Sequence, residues 1–261
     1  MLATPADLFD LTGRRALVTG STRGIGAAVL DALAGAGATV VRHGRDRQVA
    51  EAANARLAAE LGTDERLHAV AFDMADTPAM QAAVTELERR LGGIDILVNN
   101  AGIQHRAPVL EFSLPAWEQV LAVNLTACFA LSQRLAHGMV DRGYGKIINI
   151  CSVQNKLVRN ATAAYAAAKS ALGTLGQVMC ADWARHGIQI NGIAPGYIAT
   201  DLNAALLDDE AFTSWVVGRT PAARWGKPED VSGPVLWLAS PAADFVNGQV
   251  IYVDGGLTAV M

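Results

Sequence analysis

Cysteine is scarce in this sequence, with Cys128, Cys151 and Cys180 alone among 261 residues and no C-x-x-C spacing between them. That excludes a disulfide framework or a cysteine-based zinc site, and the thiols read as buried groups of a reducing cytosol. No run of about 18 apolar residues occurs, so no membrane span is predicted. The opening stretch MLATPADLFDLTGRR carries Asp7 and Asp10 where a secretory signal needs a basic start and an apolar core, so no export signal is expected.

Basic charge is also in short supply. The 21 Lys and Arg against 25 Asp and Glu give a formal charge of −4, which offers no electrostatic footprint for nucleic acid or an anionic membrane. A cytoplasmic protein acting on a small-molecule substrate fits better. His43, His68, His137 and His186 show no paired ligand spacing, so no metal site is expected. There is no fixed-period repeat, low-complexity tail or Pro/Ser-rich linker, and one domain over 1–261 is the simplest reading.

What is present is alternation. Seven short β-branched runs, at 15–20, 38–43, 67–73, 94–100, 145–152, 188–195 and 249–255, are separated by longer Ala- and Leu-rich stretches such as 24–37 and 77–93. The runs are apolar nearly throughout, as strands covered on both faces of a parallel sheet are. The prediction is an α/β fold, a single-domain Rossmann-type doubly wound parallel sheet of seven strands with helices on both faces. One long excursion, 196–226, separates the sixth and last strands and is expected to be a helical lid over a ligand cleft, or else an interface hairpin.

After the first run comes Thr19-Gly20-Ser21-Thr22-Arg23-Gly24-Ile25-Gly26, a G-x-x-x-G-x-G turn between predicted strand and helix. Glycines there let the backbone approach a pyrophosphate, whose charge meets the helix N-terminus near Gly24. The second run ends Val41-Arg42-His43-Gly44-Arg45, without the carboxylate that binds a ribose 2′-hydroxyl in NAD enzymes. Arg45, Arg23 and Arg42 suit a 2′-phosphate instead, so NADP(H) is preferred, with NAD(H) possible if Asp46 turns inward. Solvated arginines are the plainer alternative. Asp73 and Met74 end the third run, and Asn100, Ala101 and Gly102 the fourth, at carboxyl ends where such sheets bind ligands. Asp73 is either an adenine partner or a turn residue.

The fifth run ends at Ser152, and Tyr165 and Lys169 follow at i and i+4 on one helix face. Tyrosine is a poor base near neutrality because its ordinary pKa is about 10, and a nearby ammonium favours the phenolate. Such a tyrosine can exchange a proton with an alcohol or carbonyl while hydride moves to or from a nicotinamide, with Ser152 holding the substrate oxygen. Asn124 lies in an otherwise apolar helical segment, either as a buried structural hydrogen bond or as a relay to Lys169.

The combination of TGSTRGIG, NNAG, Asn124, Ser152, YAAAK, the Pro195-Gly196 pair and VDGG resembles the short-chain dehydrogenase/reductase family over essentially the whole chain. That resemblance implies Tyr165 as general acid/base, Lys169 as its modifier and ribose ligand, Ser152 as substrate aligner and Asn124 as relay support. It also implies nicotinamide and phosphate contacts at Ile198 and Thr200, and a homotetramer. NNAGIQHRAPVLEF, INICSVQNK and DEAFTSWVVGRTPAARWGKPED resemble the gluconate 5-dehydrogenase branch, which implies a polyhydroxy acid substrate, with gluconate and 5-ketogluconate first. Candidate substrate partners are Gln104, His105, Arg106, Gln154 and Arg159. A 3-oxoacyl-[acyl-carrier-protein] reductase is the rival within the family; a non-catalytic nucleotide-sensing regulator is the rival outside it.

Overall fold

The computed structural model describes residues 4–260, so the first three residues of the opening stretch and the last of the 1–261 span lie outside the described residues. All seven predicted strands form: β1 Arg15–Val18, β2 Thr39–Gly44, β3 Leu67–Ala71, β4 Ile96–Asn99, β5 Gly145–Ile150, β6 Ile188–Pro195 and β7 Val250–Val253. They make one parallel sheet in the order β3-β2-β1-β4-β5-β6-β7, reversing direction of growth between β1 and β4.

The helices are α1 Pro5–Phe9, α2 Gly24–Gly35, α3 Arg47–Leu61, α4 Thr77–Leu91, α5 Leu114–Leu121, α6 Ala127–Arg142, α7 Ala163–Trp183, α8 Ala204–Leu207, α9 Glu210–Arg219 and α10 Pro228–Ala239. Alternation along each strand divides the core between the two faces. Ala16 and Val18 of β1 pack with Leu30 and Leu33 of α2 and Val235 and Leu238 of α10. Leu17 points the other way, into a cluster with Met80 and Val84 of α4 and Leu131 and Leu135 of α6.

Several boundaries differ from the sequence expectation for local reasons. β3 stops at Ala71, because the Asp73 carboxylate accepts the Ala75 N–H at 2.9 Å and turns the chain. β5 stops at Ile150, and Ser152 caps a short 3-10 turn over Val153–Asn155. Residues 114–142 form a continuous helical run, long and apolar enough by length and composition to cross a membrane. Its α6 portion, however, buries Leu131, Leu135 and Met139 in the core cluster, as a core helix does. A π-helical turn, Ala122–Thr126, interrupts this run and carries Asn124. Cys128 and Cys151 are buried as expected, whereas Cys180 is partly exposed.

The 196–226 excursion contains α8 and α9, as a helical segment was expected to. Its ends are pinned by a bridge between Ile198 and Gly226. Its own small core is aromatic: Tyr197 meets Phe212 at 5.4 Å and Trp225 at 5.6 Å between ring centroids, in the edge-on geometry such rings prefer.

Candidate active site

The carboxyl ends of β1 and β4, where the strand order reverses, open onto a cavity of about 730 Å³. This is the crevice in which open α/β sheets hold ligands. Gly20, Arg23, Gly24, Ile25 and Gly26 line it from the turn, and Arg45, Asp73 and Met74 from beyond β2 and β3. Asn100, Ala101 and Gly102 contribute from beyond β4, Pro195 from the end of β6, and Gly196, Ile198 and Thr200 from beyond it.

The turn has little room for variation. Gly20 has φ +62°, and a Cβ there would stand 3.0 Å from the Ala101 Cα. A Cβ on Gly26 would stand 2.5 Å from the Gly20 carbonyl oxygen. Glycine is therefore required for backbone conformation at one position and close approach at the other. The Asn100 amide donates to the Thr19 and Gly20 carbonyls at 2.8 and 3.0 Å. While Asp46, Asp76 and Ser113 cap α3, α4 and α5 with their side chains, Arg23 at the head of α2 supplies no side-chain cap. An uncapped helix head at the rim of a large cavity is a setting for phosphate.

Two expected cofactor residues turn out otherwise. Ser21 is fully buried; its hydroxyl donates to the Val18 carbonyl at 2.7 Å and accepts the His43 N–H at 3.0 Å, so it braces the turn from behind. Arg42 is buried as well, bonding the Ser21 carbonyl, Asn54 at 2.8 Å and Asp31 at 2.7 Å. A strand residue adjacent to His43 on the opposite sheet face cannot share its side, and Arg42 is thereby removed from the 2′-phosphate candidates. Arg45 remains, exposed and without an ion pair among the described residues. Asp46 accepts the Gln48 N–H at 2.8 Å as the α3 cap, which occupies the nearest carboxylate. Arg23 pairs at 3.3 Å with Asp201 across the cavity mouth, both side chains largely exposed.

Sequence reasoning missed His43. The ring is buried at the end of β2 and lines the cavity directly beneath the turn. Burial pulls its pKa down to about 4, against the smaller upward pulls of the Phe72 carbonyl and the Asp73 charge. The signal was present in the strand period, which puts residue 43 on the face opposite Arg42.

Tyr165, Lys169 and Ser152 line the inner end of the same cavity. Tyr165 enters from the first turn of α7, and Lys169 follows one turn later. The Lys169 ammonium is buried and donates to the Ile150 carbonyl at 2.5 Å. Ser152 Oγ accepts the Gln154 N–H at 3.2 Å, leaving its own O–H to donate. The thiols flanking Lys169 are inert: burial pushes Cys128 and Cys151 up to about 11, with the ammonium only partly offsetting it. The Asn124 side chain accepts the Ile103 N–H and donates to the Ile103 carbonyl, both at 2.8 Å, a structural hydrogen-bond pair, and its Oδ1 and the Lys169 ammonium both lie beside Gly102.

The expected substrate residues stand beyond the cavity lining. Arg106 donates to Gln104 at 3.2 Å. Desolvation and then the neighbouring Arg159 charge pull the Arg106 pKa down, opposed by Tyr197 and Tyr165. Arg159 lies 4.2 Å over the Phe212 ring. Neither guanidinium has a carboxylate partner among the described residues. Gln154 has its carbonyl oxygen committed to the Thr162 hydroxyl at 2.8 Å. His105 packs edge-on against Phe112 at 5.3 Å.

A family model described as enoyl-(acyl carrier protein) reductase matches residues 20–258. The chain is 48% identical over 252 residues to a gluconate 5-dehydrogenase of Gluconobacter oxydans, covering 97% of each chain. The chain belongs to the short-chain dehydrogenase/reductase family. Within that family it is also 47% identical to a 5-keto-D-gluconate 5-reductase of Escherichia coli, covering 96% of this chain and 98% of the relative. A crystal structure of a gluconate 5-dehydrogenase from Burkholderia cenocepacia, in complex with NADP and tartrate, superposes with a TM-score of 0.95 at 50% identity, covering 99% of this chain and all of that one.

Proposed function

We propose that this protein is an NADP(H)-dependent oxidoreductase interconverting a secondary alcohol and a ketone of a sugar acid, with gluconate and 5-ketogluconate the leading pair. The observation carrying the substrate class is the pair Arg106 and Arg159: two guanidiniums near Tyr165 and Tyr197, each lacking an acid partner among the described residues. Like charges left together at the edge of a cleft call for an anion. A carboxylate supplies it, as a neutral 3-oxoacyl thioester would not.

The residues present fit the nucleotide. The Gly20 turn and the uncapped head of α2 would take the pyrophosphate, Arg45 and Arg23 the 2′-phosphate, and Lys169 the ribose. When bound, NADP(H) supplies or accepts the hydride. The chain's own residues handle the proton. Tyr165 exchanges it with the substrate oxygen, Ser152 donates its O–H to that same oxygen, and the Lys169 charge favours the phenolate formed as the proton leaves. Asn124 contributes by holding Ile103, next to the Ala101-Gly102 edge of the cleft. The whole chain acts as one domain, the 196–226 excursion serves as its lid, and the protein works as a cytoplasmic homotetramer; light scattering after size exclusion reads the last point.

The deciding assay offers gluconate, 5-ketogluconate, neutral polyols and a 3-oxoacyl thioester with each nicotinamide nucleotide, following nicotinamide absorbance. Turnover of the sugar acids with NADP(H) is the expected result. Preference for the thioester assigns the protein to the other branch, and no turnover with any alcohol or carbonyl favours a nucleotide sensor.

A further inference from the structure

His43 has no role in the chemistry above, yet both of its ring nitrogens are engaged with backbone behind the nucleotide turn. Its ring is 2% exposed. Nδ1 accepts the Gly20 N–H at 3.0 Å, and Nε2 lies 3.1 Å from the Phe72 carbonyl oxygen. A backbone N–H can only donate, so Nδ1 is the acceptor and Nε2 carries the hydrogen given to Phe72. One neutral tautomer satisfies both contacts. The imidazolium would set an N–H against the Gly20 N–H. Beyond the ring, the Ser21 N–H donates to the His43 carbonyl at 2.9 Å, and the His43 N–H donates to Ser21 Oγ at 3.0 Å. The ring also lies against Phe72, with centroids 4.0 Å apart.

These contacts join three strand ends. Gly20 follows β1, His43 belongs to β2 and Phe72 follows β3, where Asp73 and Met74 line the cavity. Gly20 is held at its N–H by His43 and at its carbonyl by Asn100. With the peptide planes on both sides of its Cα fixed, at φ +62°, the residue presents the following turn in one orientation before any ligand arrives. Preorganisation of this kind lowers the ordering cost of binding.

We propose that His43, as the neutral Nε2–H tautomer, is a positioning residue that preorganises the glycine turn for the pyrophosphate of the nucleotide. The inference rests on the nucleotide-binding reading of this cavity and adds to it a residue whose effect is blind to the 2′-phosphate. It acts through Gly20, which belongs to the part of the site common to NADP and NAD.

The test uses the full chain and three variants. His43→Phe keeps the ring stacked on Phe72 but has neither nitrogen. His43→Asn places an amide oxygen where Nδ1 stands and restores the Gly20 acceptor. His43→Gln places its amide where Nε2 stands and does not. Kd values for NADPH and NADH by fluorescence titration, nucleotide KM and kcat, and hydrogen exchange at the Gly20 and Ser21 amides are the readouts.

The expected result is a rise in Kd and KM of roughly 10-fold in His43→Phe, the size of one lost buried hydrogen bond, equal for the two nucleotides. kcat at saturating nucleotide stays within about twofold, since positioning of the ground-state ligand is what changes. His43→Asn recovers most of the affinity, His43→Gln does not, and amide exchange at Gly20 quickens in the weak binders only. Unchanged affinity in His43→Phe overturns the proposal, as does equal weakness of Asn and Gln or a loss confined to NADPH. If His43→Phe fails to fold, the Asn and Gln pair carries the same comparison. If the unaltered protein binds neither nucleotide, the cofactor reading itself fails, a result distinct from loss in the variants alone.

Discussion

The Lys169 ammonium lies 5.9 Å from the centroid of the Tyr165 ring while donating to the Ile150 carbonyl at 2.5 Å. The cation is thus anchored by the end of β5 rather than by an acid, and its charge stays available to the phenol above it. Tyr165→Phe removes the proton carrier and leaves this anchor in place. The expected outcome is a fall in kcat of about 10²- to 10⁴-fold, the usual worth of a positioned acid/base. NADPH affinity should stay near that of the unaltered enzyme by fluorescence titration. Ordinary turnover in Tyr165→Phe would remove the phenol from the mechanism.

Cofactor choice rests on Arg45 now that Arg42 is committed to Ser21, Asn54 and Asp31. Arg45→Ala should raise KM for NADP by roughly 10-fold or more, the scale of a charge-assisted hydrogen bond. KM for NAD, which has no 2′-phosphate to lose, should stay within about twofold. Equal changes for both nucleotides would mean that Arg45 is only a solvated surface group. Steady-state kinetics with each nucleotide make the comparison.

The sheet was legible because each strand carries its own apolar run, and the turn because G-x-x-x-G-x-G stands between one strand and one helix. Arg42 was misjudged because sequence does not say which sheet face a residue takes when neighbours at i and i+1 are both polar, and Ser21 because a turn hydroxyl can face inward, here to the Val18 carbonyl and the His43 N–H. The strand period assigns Arg42 and His43 to opposite faces, but only the fold shows that the His43 face is the cavity side. Asn124 illustrates a different limit. Its partner, Ile103, is 21 residues away, and the bonded groups are backbone, which carries no residue signature. The Arg106 and Arg159 pair was legible as polar loop residues, but their meeting beside Tyr197 depends on the path of the 196–226 excursion.

If that pair binds a carboxylate, Arg106→Gln should weaken acids selectively. Loss of one of two cationic partners should raise KM for gluconate by about 10-fold. kcat with gluconate should be less affected, because the carboxylate is bound alike in ground and transition states. A neutral polyol that turns over slowly with the unaltered enzyme should do so equally well with the variant. A uniform loss across acids and polyols would mean a packing role instead.

Acid stability should carry the mark of His43. Burial holds its folded-state pKa near about 4, below the ordinary 6.5. Above about pH 6.5 the imidazole is neutral in both folded and unfolded chains and nothing is lost. Between about 6.5 and about 4 the unfolded chain takes up a proton that the folded chain refuses, so stability falls as the pH falls. The full difference corresponds to about 3 kcal/mol, reached as the pH approaches the folded-state value. His43→Asn cannot titrate, so its stability should decline less steeply over the same range, whatever its stability near neutrality. Urea denaturation of both proteins at steps from about pH 7 to about pH 4.5 measures the two slopes. Parallel slopes would mean that the folded protein accommodates the imidazolium, and with it a turn that no longer depends on the Gly20 N–H bond.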